Sequence, residues 1–485
     1  MKARATTVGS VRAATTGAVR KSYVPLAVIT LAHLMAVLDN TIMIVALPSV
    51  QKTLGVSAVD RQWIITAYTL AYAGLLLLGG KLADRFGAQR TLMFGAVGFA
   101  VASAFGGLSQ GFLMLVAARA VEGAFGALLT SSTKTLLALT YTEKKQRAKA
   151  MGVFGAAVAA GGIFGMVLGG LLTSVLSWRW CLFINLPIAG AVIVLGLRTL
   201  MKLPIKRQIH IDLISAAVFC AAIIALVYGL GSAADSGWGA PVVLISLALC
   251  VAAVLAFGVL QQKKAHPLLP LRLLRDRQRS GTLFASVFDS FGTLGVMLIL
   301  TFQLQKVQGY SALATGLTLL PLMISMSFLS AVVAPRLMSK VAPVWLVCGD
   351  VFLSGLGLLP LAFLQAGPWF WSLVITAEVI EGIGTGLGAA PTMNTTLIGV
   401  SPDDVGIVNA VTGATNQLGS SIGTALLNTI AVSVAGVTAT GVAMAHGFSV
   451  ACGYGGVLLL VVSVIVFGII GKPRTNREPR ISLEM

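Results

Sequence analysis

Asp39, Arg119, Glu122, Glu378 and Glu381 each stand inside a long apolar run. There an ionisable side chain costs roughly 3 kcal/mol unless it is paired or hydrated. Groups of this type can take up and release protons, or hold a cation, and they need no nucleophile or metal to do so. Arg119 and Glu122 are three residues apart, so on a helix they share a face. Arg119 is therefore the natural counter-charge for both Glu122 and Asp39. Glu378 and Glu381 have the same spacing and, facing one cavity, would share a proton. Asp289 lies about two turns from the start of its run, where a transport role and a helix-start role are both open. Lys134 and Asp350 fall near the ends of their runs and read as interfacial. His33, alone in its run, reads as packed or hydrogen-bonded.

Other chemistries find no support in the residues. The four His (His33, His210, His266, His446) form no HExxH pattern or cluster, no Asp-rich metal motif occurs, and no GxxxxGK[ST] phosphate loop is present. The run Gly382, Gly384, Gly386, Gly388 imitates a nucleotide loop in letters only, because no strand precedes it. An integral-membrane enzyme acting on lipids is thus disfavoured, as is a channel, since no filter sequence is visible. No cofactor or metal is expected. An ion gradient, taken to be of protons, is the expected energy source.

The elements that position these residues are fourteen apolar stretches, at 24–47, 62–80, 91–108, 112–135, 149–171, 181–200, 213–231, 241–260, 282–303, 313–333, 344–364, 369–391, 406–431 and 446–470. Each is near the roughly 20 residues a bilayer requires. Of 34 Lys and Arg, 28 lie in the two tails and the even-numbered connections. The odd connections hold only Lys52, Arg61, Arg179 and Lys306. Short translocated loops avoid Lys and Arg, so both termini are expected in the cytoplasm. At 1.5 Å per residue, Asp39 lies roughly 12 Å below the outer end of its span, and Arg119 and Glu122 lie roughly 10 and 15 Å below theirs. Glu378 and Glu381 come out roughly 14 and 18 Å below the outer end of theirs. The groups can meet near the midplane.

Composition agrees with this layout. The chain is 57% hydrophobic and 10% charged with 54 Gly, a profile suited to lipid, where small residues let helices approach closely. The net charge of +18 is spread over connections and is no nucleic-acid footprint. The basic lead to Tyr23 has no apolar core of its own and reads as a tail, not as a cleaved signal. The five Cys (Cys181, Cys220, Cys250, Cys348, Cys452) show no ligand-like spacing and read as packing residues. The aromatics Trp63, Tyr68, Tyr72, Phe154 and Phe302 could line a cavity for flat, lipophilic compounds, although most aromatics in such chains pack or anchor.

Basic stretches at Lys202–His210 and Lys263–Arg279 divide the chain. The parse is a tail at 1–23, a six-helix bundle at 24–206, two inserted helices at 207–265, a second six-helix bundle at 266–471, and a tail at 472–485. Glu122-Gly123 in span 4 and Glu381-Gly382 in span 12 are a faint trace of repetition between the bundles. Between spans 2 and 3 stands GGKLADRFGAQR, Gly79 to Arg90, with turn glycines Gly80 and Gly87, an acid at Asp84 and bases at Arg85 and Arg90. This resembles the loop signature of the major facilitator superfamily. The resemblance implies that Gly80, Asp84, Arg85, Gly87 and Arg90 form a latch biasing the two-state equilibrium between bundles.

LDNTIMIVALP (Leu38 to Pro48), RAVEGAFGA (Arg119 to Ala127), WRWCLFINLPI (Trp178 to Ile188), IDL (Ile211 to Leu213) and YSALATGLTLLP (Tyr310 to Pro321) narrow the likeness. They are similar to the fourteen-helix drug:proton antiporters of that superfamily over nearly the whole chain. One departure is GGIFGMVLGG (Gly161 to Gly170), where Met166 stands in place of the Pro of the family's antiporter signature. Gly161, Gly165 and Gly169, with Gly170, still offer a face for close packing. The missing Pro predicts a straighter span 5.

The expectation is therefore an all-α, multi-pass protein of the bacterial cytoplasmic membrane. Fourteen transmembrane helices form two bundles plus two inserted helices, and a monomer is the expected unit. Its partners would be protons, lipid and a small lipophilic, cationic compound, a drug or antibiotic, exported by alternating access. Coupling would fall to Asp39, Arg119, Glu122, Asp289, Glu378 and Glu381. A proton-coupled uptake carrier and an exporter of a host-made natural product stay open as alternatives.

Overall fold

The computed structural model describes residues 23–141, 143–200, 212–264, 267–364, 369–401, 404–436 and 441–470. The expected tails, apart from Tyr23, and the basic stretch Lys202–His210 lie outside these residues. Among the described residues the regular structure is helical throughout. The membrane helices run α1 Val24–Leu54, α2 Gln62–Phe86, α3 Ala88–Gly107, α4 Phe112–Thr140, α5 Lys144–Val175, α6 Trp180–Thr199, α7 Leu213–Ser236 and α8 Pro241–Lys263. They continue as α9 Arg277–Val307, α10 Ala312–Leu337, α11 Pro343–Phe363, α12 Phe370–Leu397, α13 Val405–Ala435 and α14 Gly441–Ile470. Thirteen are long and apolar enough to cross a bilayer, and the 25-residue α2, packed against α4 and α13, is the fourteenth.

Within the first bundle α1 packs on α5 and α4 on both α2 and α3, while in the second α9 packs on α13 and α12 on α10 and α11. The inserted pair α7–α8 leans through α7 on α2 and α13. Since lipid gives apolar helices little drive to associate, close approach must supply the contacts. Gly161, Gly165 and Gly169 of α5 meet Leu34, Thr41 and Ile42 of α1, and Gly170 meets Ala312 and Leu313 of α10. Helix α5 runs unbroken for 32 residues, in keeping with the absence of an internal Pro. Met166 is fully buried, its carbonyl lying against Gly316 of α10.

Several spans are less regular than their apolar runs suggest. Helix α6 breaks at Ile184, ahead of the Asn185-Leu186-Pro187 step, while α9 ends in a π-helical turn, Gln303–Val307, and α10 contains another, Leu329–Val333. The helices also outrun their apolar cores: α1 continues past Pro48 to Leu54, and α9 begins at Arg277. Asp289 consequently lies twelve residues inside α9, roughly 18 Å from its start.

The bundles are tied together at the face away from Tyr23 and Ile470. Arg61 donates through Nε (3.0 Å) and a terminal nitrogen (2.7 Å) to Asn428 Oδ1 of α13, while its guanidinium lies 3.7 Å from the Phe302 ring centre of α9. The Thr69 and Ser421 hydroxyls meet at 2.5 Å, Gln305 Nε2 donates to the Val45 carbonyl at 2.9 Å, and the Leu313 N–H donates to Ser174 Oγ at 3.1 Å. These hydrogen bonds between helices of the two bundles fall in one half of the molecule.

Candidate functional site

Five helices of the first bundle meet around Arg119 of α4. A terminal guanidinium nitrogen donates to Asp39 Oδ2 of α1 at 2.5 Å and to Glu122 Oε2 at 2.6 Å, and Nε donates to the Ile64 carbonyl of α2 at 3.3 Å. The guanidinium also lies over the Tyr68 ring of α2, 4.4 Å from its centre. Asn185, set at the break in α6, donates its amide to Asp39 Oδ1 at 2.9 Å, to Ser103 Oγ of α3 at 3.1 Å and to Glu122 Oε1 at 3.4 Å. The Ser103 hydroxyl donates to Glu122 Oε1. Arg119, Asp39, Glu122, Ser103 and Asn185 are each at most 1% exposed. One positive charge thus serves two carboxylates. The trio keeps a net negative charge unless a proton joins it, and the orphaned second guanidinium nitrogen of Arg119 and Oδ1 of Asn185 leave it room to rearrange.

The second bundle repeats the acid without the base. Glu381 of α12 accepts from Thr293 of α9 at 3.0 Å, and Thr293 meets Thr385 at the same distance. Two glycines make room for this carboxylate: a Cβ at Gly292 of α9 or at Gly357 of α11 would stand 3.1 Å from one of its oxygens. Asp289 of α9 faces Thr385 and Asp350 of α11, and Asp350 lies against Gly388, where any Cβ would overlap its carboxylate. Among the described residues no Lys or Arg forms an ion pair with these acids. One oxygen each of Asp289, Asp350 and Glu381 has no hydrogen-bond partner, and neither has the buried Ser354 hydroxyl beside them. A buried carboxylate without a counter-charge requires a proton or a cation for company.

The sequence did not place every one of these groups. Asp350, read as interfacial, is 3% exposed and belongs to the second bundle's acids. Glu378 and Glu381 do not face each other: Glu381 turns toward α9 and α11, whereas Glu378 lies near Leu322 of α10 with both oxygens unpartnered. Side chains three residues apart on a helix diverge by about 60°, enough to address different neighbours. Ser103, Thr293 and Ser354 carry no sequence signal beyond polarity inside an apolar run, and Asn185 falls within the Trp178–Ile188 segment without being singled out there. In the Gly79–Arg90 segment, Gly80 is an ordinary helical residue of α2, and a Cβ there would meet open space. The turn is made by Gly87 alone, whose φ of 90° suits glycine. Gly79, by contrast, lies against Ser131 and the Ala127 carbonyl of α4. The Asp84 side chain falls outside the described part of the structure. Arg85 stacks over Phe86 at 5.6 Å, and Arg90 is exposed. Lys81, which sequence reasoning passed over, donates at 2.9 Å to the Pro267 carbonyl in the segment leading to the second bundle.

Two helical bundles enclosing buried charges are the architecture of a multi-pass membrane protein, and among the described residues no group of His, Cys, Asp or Glu is arranged to hold a metal. Residues 29–424 match the model of the Major Facilitator Superfamily, and the chain belongs to that family. It is 36% identical over 457 residues to the puromycin resistance protein pur8 of Streptomyces alboniger, covering 92% of this chain and 90% of that one. It is 34% identical over 403 residues to the cephamycin export protein CmcT of Amycolatopsis lactamdurans, covering 82% and 83%. With the multidrug efflux pump LfrA of Mycolicibacterium smegmatis it shares 28% over 424 residues, covering 86% and 82%. A crystal structure of a POT family peptide transporter superposes with a TM-score of 0.67 at 16% identity over 94% of this chain and 98% of that one, a likeness of fold.

Proposed function

We propose that this protein exports small lipophilic compounds bearing a cationic nitrogen, antibiotics among them, from a bacterial cytoplasm in exchange for protons. The observation that carries the reading is the second bundle's row of acids, the buried Asp350 and Glu381 with the half-buried Asp289, held without a base. Such acids alternate between holding a proton and holding a cation, and that alternation is the currency of exchange. The relatives named for puromycin resistance, cephamycin export and multidrug efflux support the direction and the class of cargo. The crowding of Lys and Arg into the tails and even connections supports cytoplasmic termini. In this reading the tied face is the outer one, and the bundles, 24–206 and 266–471, stand open toward the cytoplasm. Cargo enters from there, the bundles rock about the buried sites, and protons arriving from outside discharge it. Asp84, Arg85, Gly87 and Arg90 act as the latch, joined by Lys81 through its bond to Pro267.

The test is uptake of ethidium and puromycin into energised inverted vesicles, with the intact protein, Asp39→Asn and Glu381→Gln, before and after the proton gradient is collapsed. Uphill uptake that disappears with the gradient and with either substitution supports the reading. Gradient-independent equilibration would overturn it.

A further inference from the structure

Below the Arg119 network the first bundle carries a second polar group that proton exchange at carboxylates leaves unused. Thr130 and Lys134 follow Arg119 along α4 by eleven and fifteen residues, which turns them only about 20° and 60° away from its direction. Both therefore point inward, away from the lipid-facing side marked by the exposed Leu113, Val121 and Leu139. The Thr130 hydroxyl stands 3.4 Å from His33 Nδ1 of α1, and the His33 ring lies on Phe154 of α5 with centres 4.8 Å apart. Tyr72 of α2 packs against Gly126, one turn above Thr130. Lys134 stands one helical turn below Thr130 on the same helix.

Among the described residues the ion pairs are Arg119 with Asp39 and Glu122, Lys264 with Asp212, and Arg272 with Asp404. Lys134 has none. Its ammonium offers three donors on an inward face, below the level at which the bundles are hydrogen-bonded together. Lys134 and His33 are both half-buried in spite of that inward direction. A lysine merely reaching for lipid headgroups would leave along the lipid face.

We infer that Lys134, with His33 and Thr130 beside it, forms a subsite for a carboxylate or comparable anionic group on the transported molecule, with Tyr72 and Phe154 walling in its aromatic body. The preferred cargo is then amphoteric: its acid lies on Lys134 and its amine on the carboxylates farther in. This refinement rests on the export reading for the occupant's identity.

The experiment is equilibrium binding to the purified full chain in nanodiscs of neutral lipid, so that the ligand supplies the only anion. The probes are a fluoroquinolone, which carries a piperazinium and an aryl carboxylate, and its ethyl ester, which keeps the cation and loses the acid. The intact protein should bind the acid more tightly. Lys134→Gln should remove that preference, about tenfold, the size of one charge-assisted hydrogen bond, while ester binding stays unchanged. Lys134→Arg should retain the preference. An intact protein that binds acid and ester alike, or a Lys134→Gln variant that loses both equally, overturns the inference. Because binding is read without a gradient, failure of proton exchange in vesicles is a separate result.

Discussion

The two bundles solve one problem in opposite ways. In each, an acid followed by glycine sits on the fourth helix: Glu122-Gly123 on α4 and Glu381-Gly382 on α12. A serine of the third helix stands by each acid, Ser103 in one bundle and Ser354 in the other. Three residues before the acid the halves part. The first has Arg119, which binds both carboxylates of its network. The second has Glu378, which has no partner for either oxygen. The difference teaches that a shared scaffold can carry either acids that hold a cation of their own or acids that hold none.

The largest effect should come from removing the cation on which the first half depends. Arg119→Gln leaves two carboxylates buried without a counter-charge and should cost about 3–5 kcal/mol, read as a fall in thermal unfolding temperature in detergent. The glycines sharpen the comparison from the other side, because they belong to what the halves share. Gly123→Ala drives a methyl into the Tyr68 backbone, and Gly382→Ala drives one toward the Leu322 carbonyl and Ser325. Each should cost about 1–3 kcal/mol, and markedly unequal losses would count against a common scaffold. Glu381→Gln keeps an acceptor for Thr293 and strands no base, so it should change stability by less than about 1 kcal/mol while ending gradient-driven transport in vesicles. A loss matching that of Arg119→Gln would break the contrast altogether.

The smallest effect lies outside the membrane. Asp404 accepts from the Ser401 hydroxyl and pairs with Arg272 in a connection of the second bundle. The Ser401 bond is the largest influence and, joined by Arg272 and Arg279, holds the carboxyl below the ordinary carboxylate range against burial, which ranks second and acts the other way. Its contribution is therefore present at neutral pH and fades as pH falls below that range. Asp404→Asn should lower stability slightly at pH 7 and leave it nearly unchanged at acid pH, so that the acid limb of stability against pH flattens.

Much of the fold was legible because bilayer thickness and loop charge are coarse, strong constraints: the spans and the inserted pair follow from run length and Lys/Arg placement alone. The first-half site was legible for a related reason, since Asp39, Arg119 and Glu122 are conspicuous in apolar surroundings and their depths coincide. What stayed hidden depended on rotation about a helix axis. Asp350 looked interfacial by its distance from a span end, yet faces inward against Gly388. Glu378 and Glu381 looked like a pair by spacing, yet look to different helices. Asn185 reaches its three partners only because α6 breaks one residue before it, a kink that hydropathy does not register.

The seal of Arg61, Asn428, Phe302, Thr69, Ser421 and Gln305 includes no carboxylate or imidazole. None of these groups changes charge near neutrality, so in the proposed exchange acidity outside the cell has nothing there to act upon. The door is deaf to the signal it must obey. Under the proposed exchange, news of a proton has to be heard by the acids behind it and relayed outward through the tilt of whole helices, which makes stiffness, as much as chemistry, a component of that coupling.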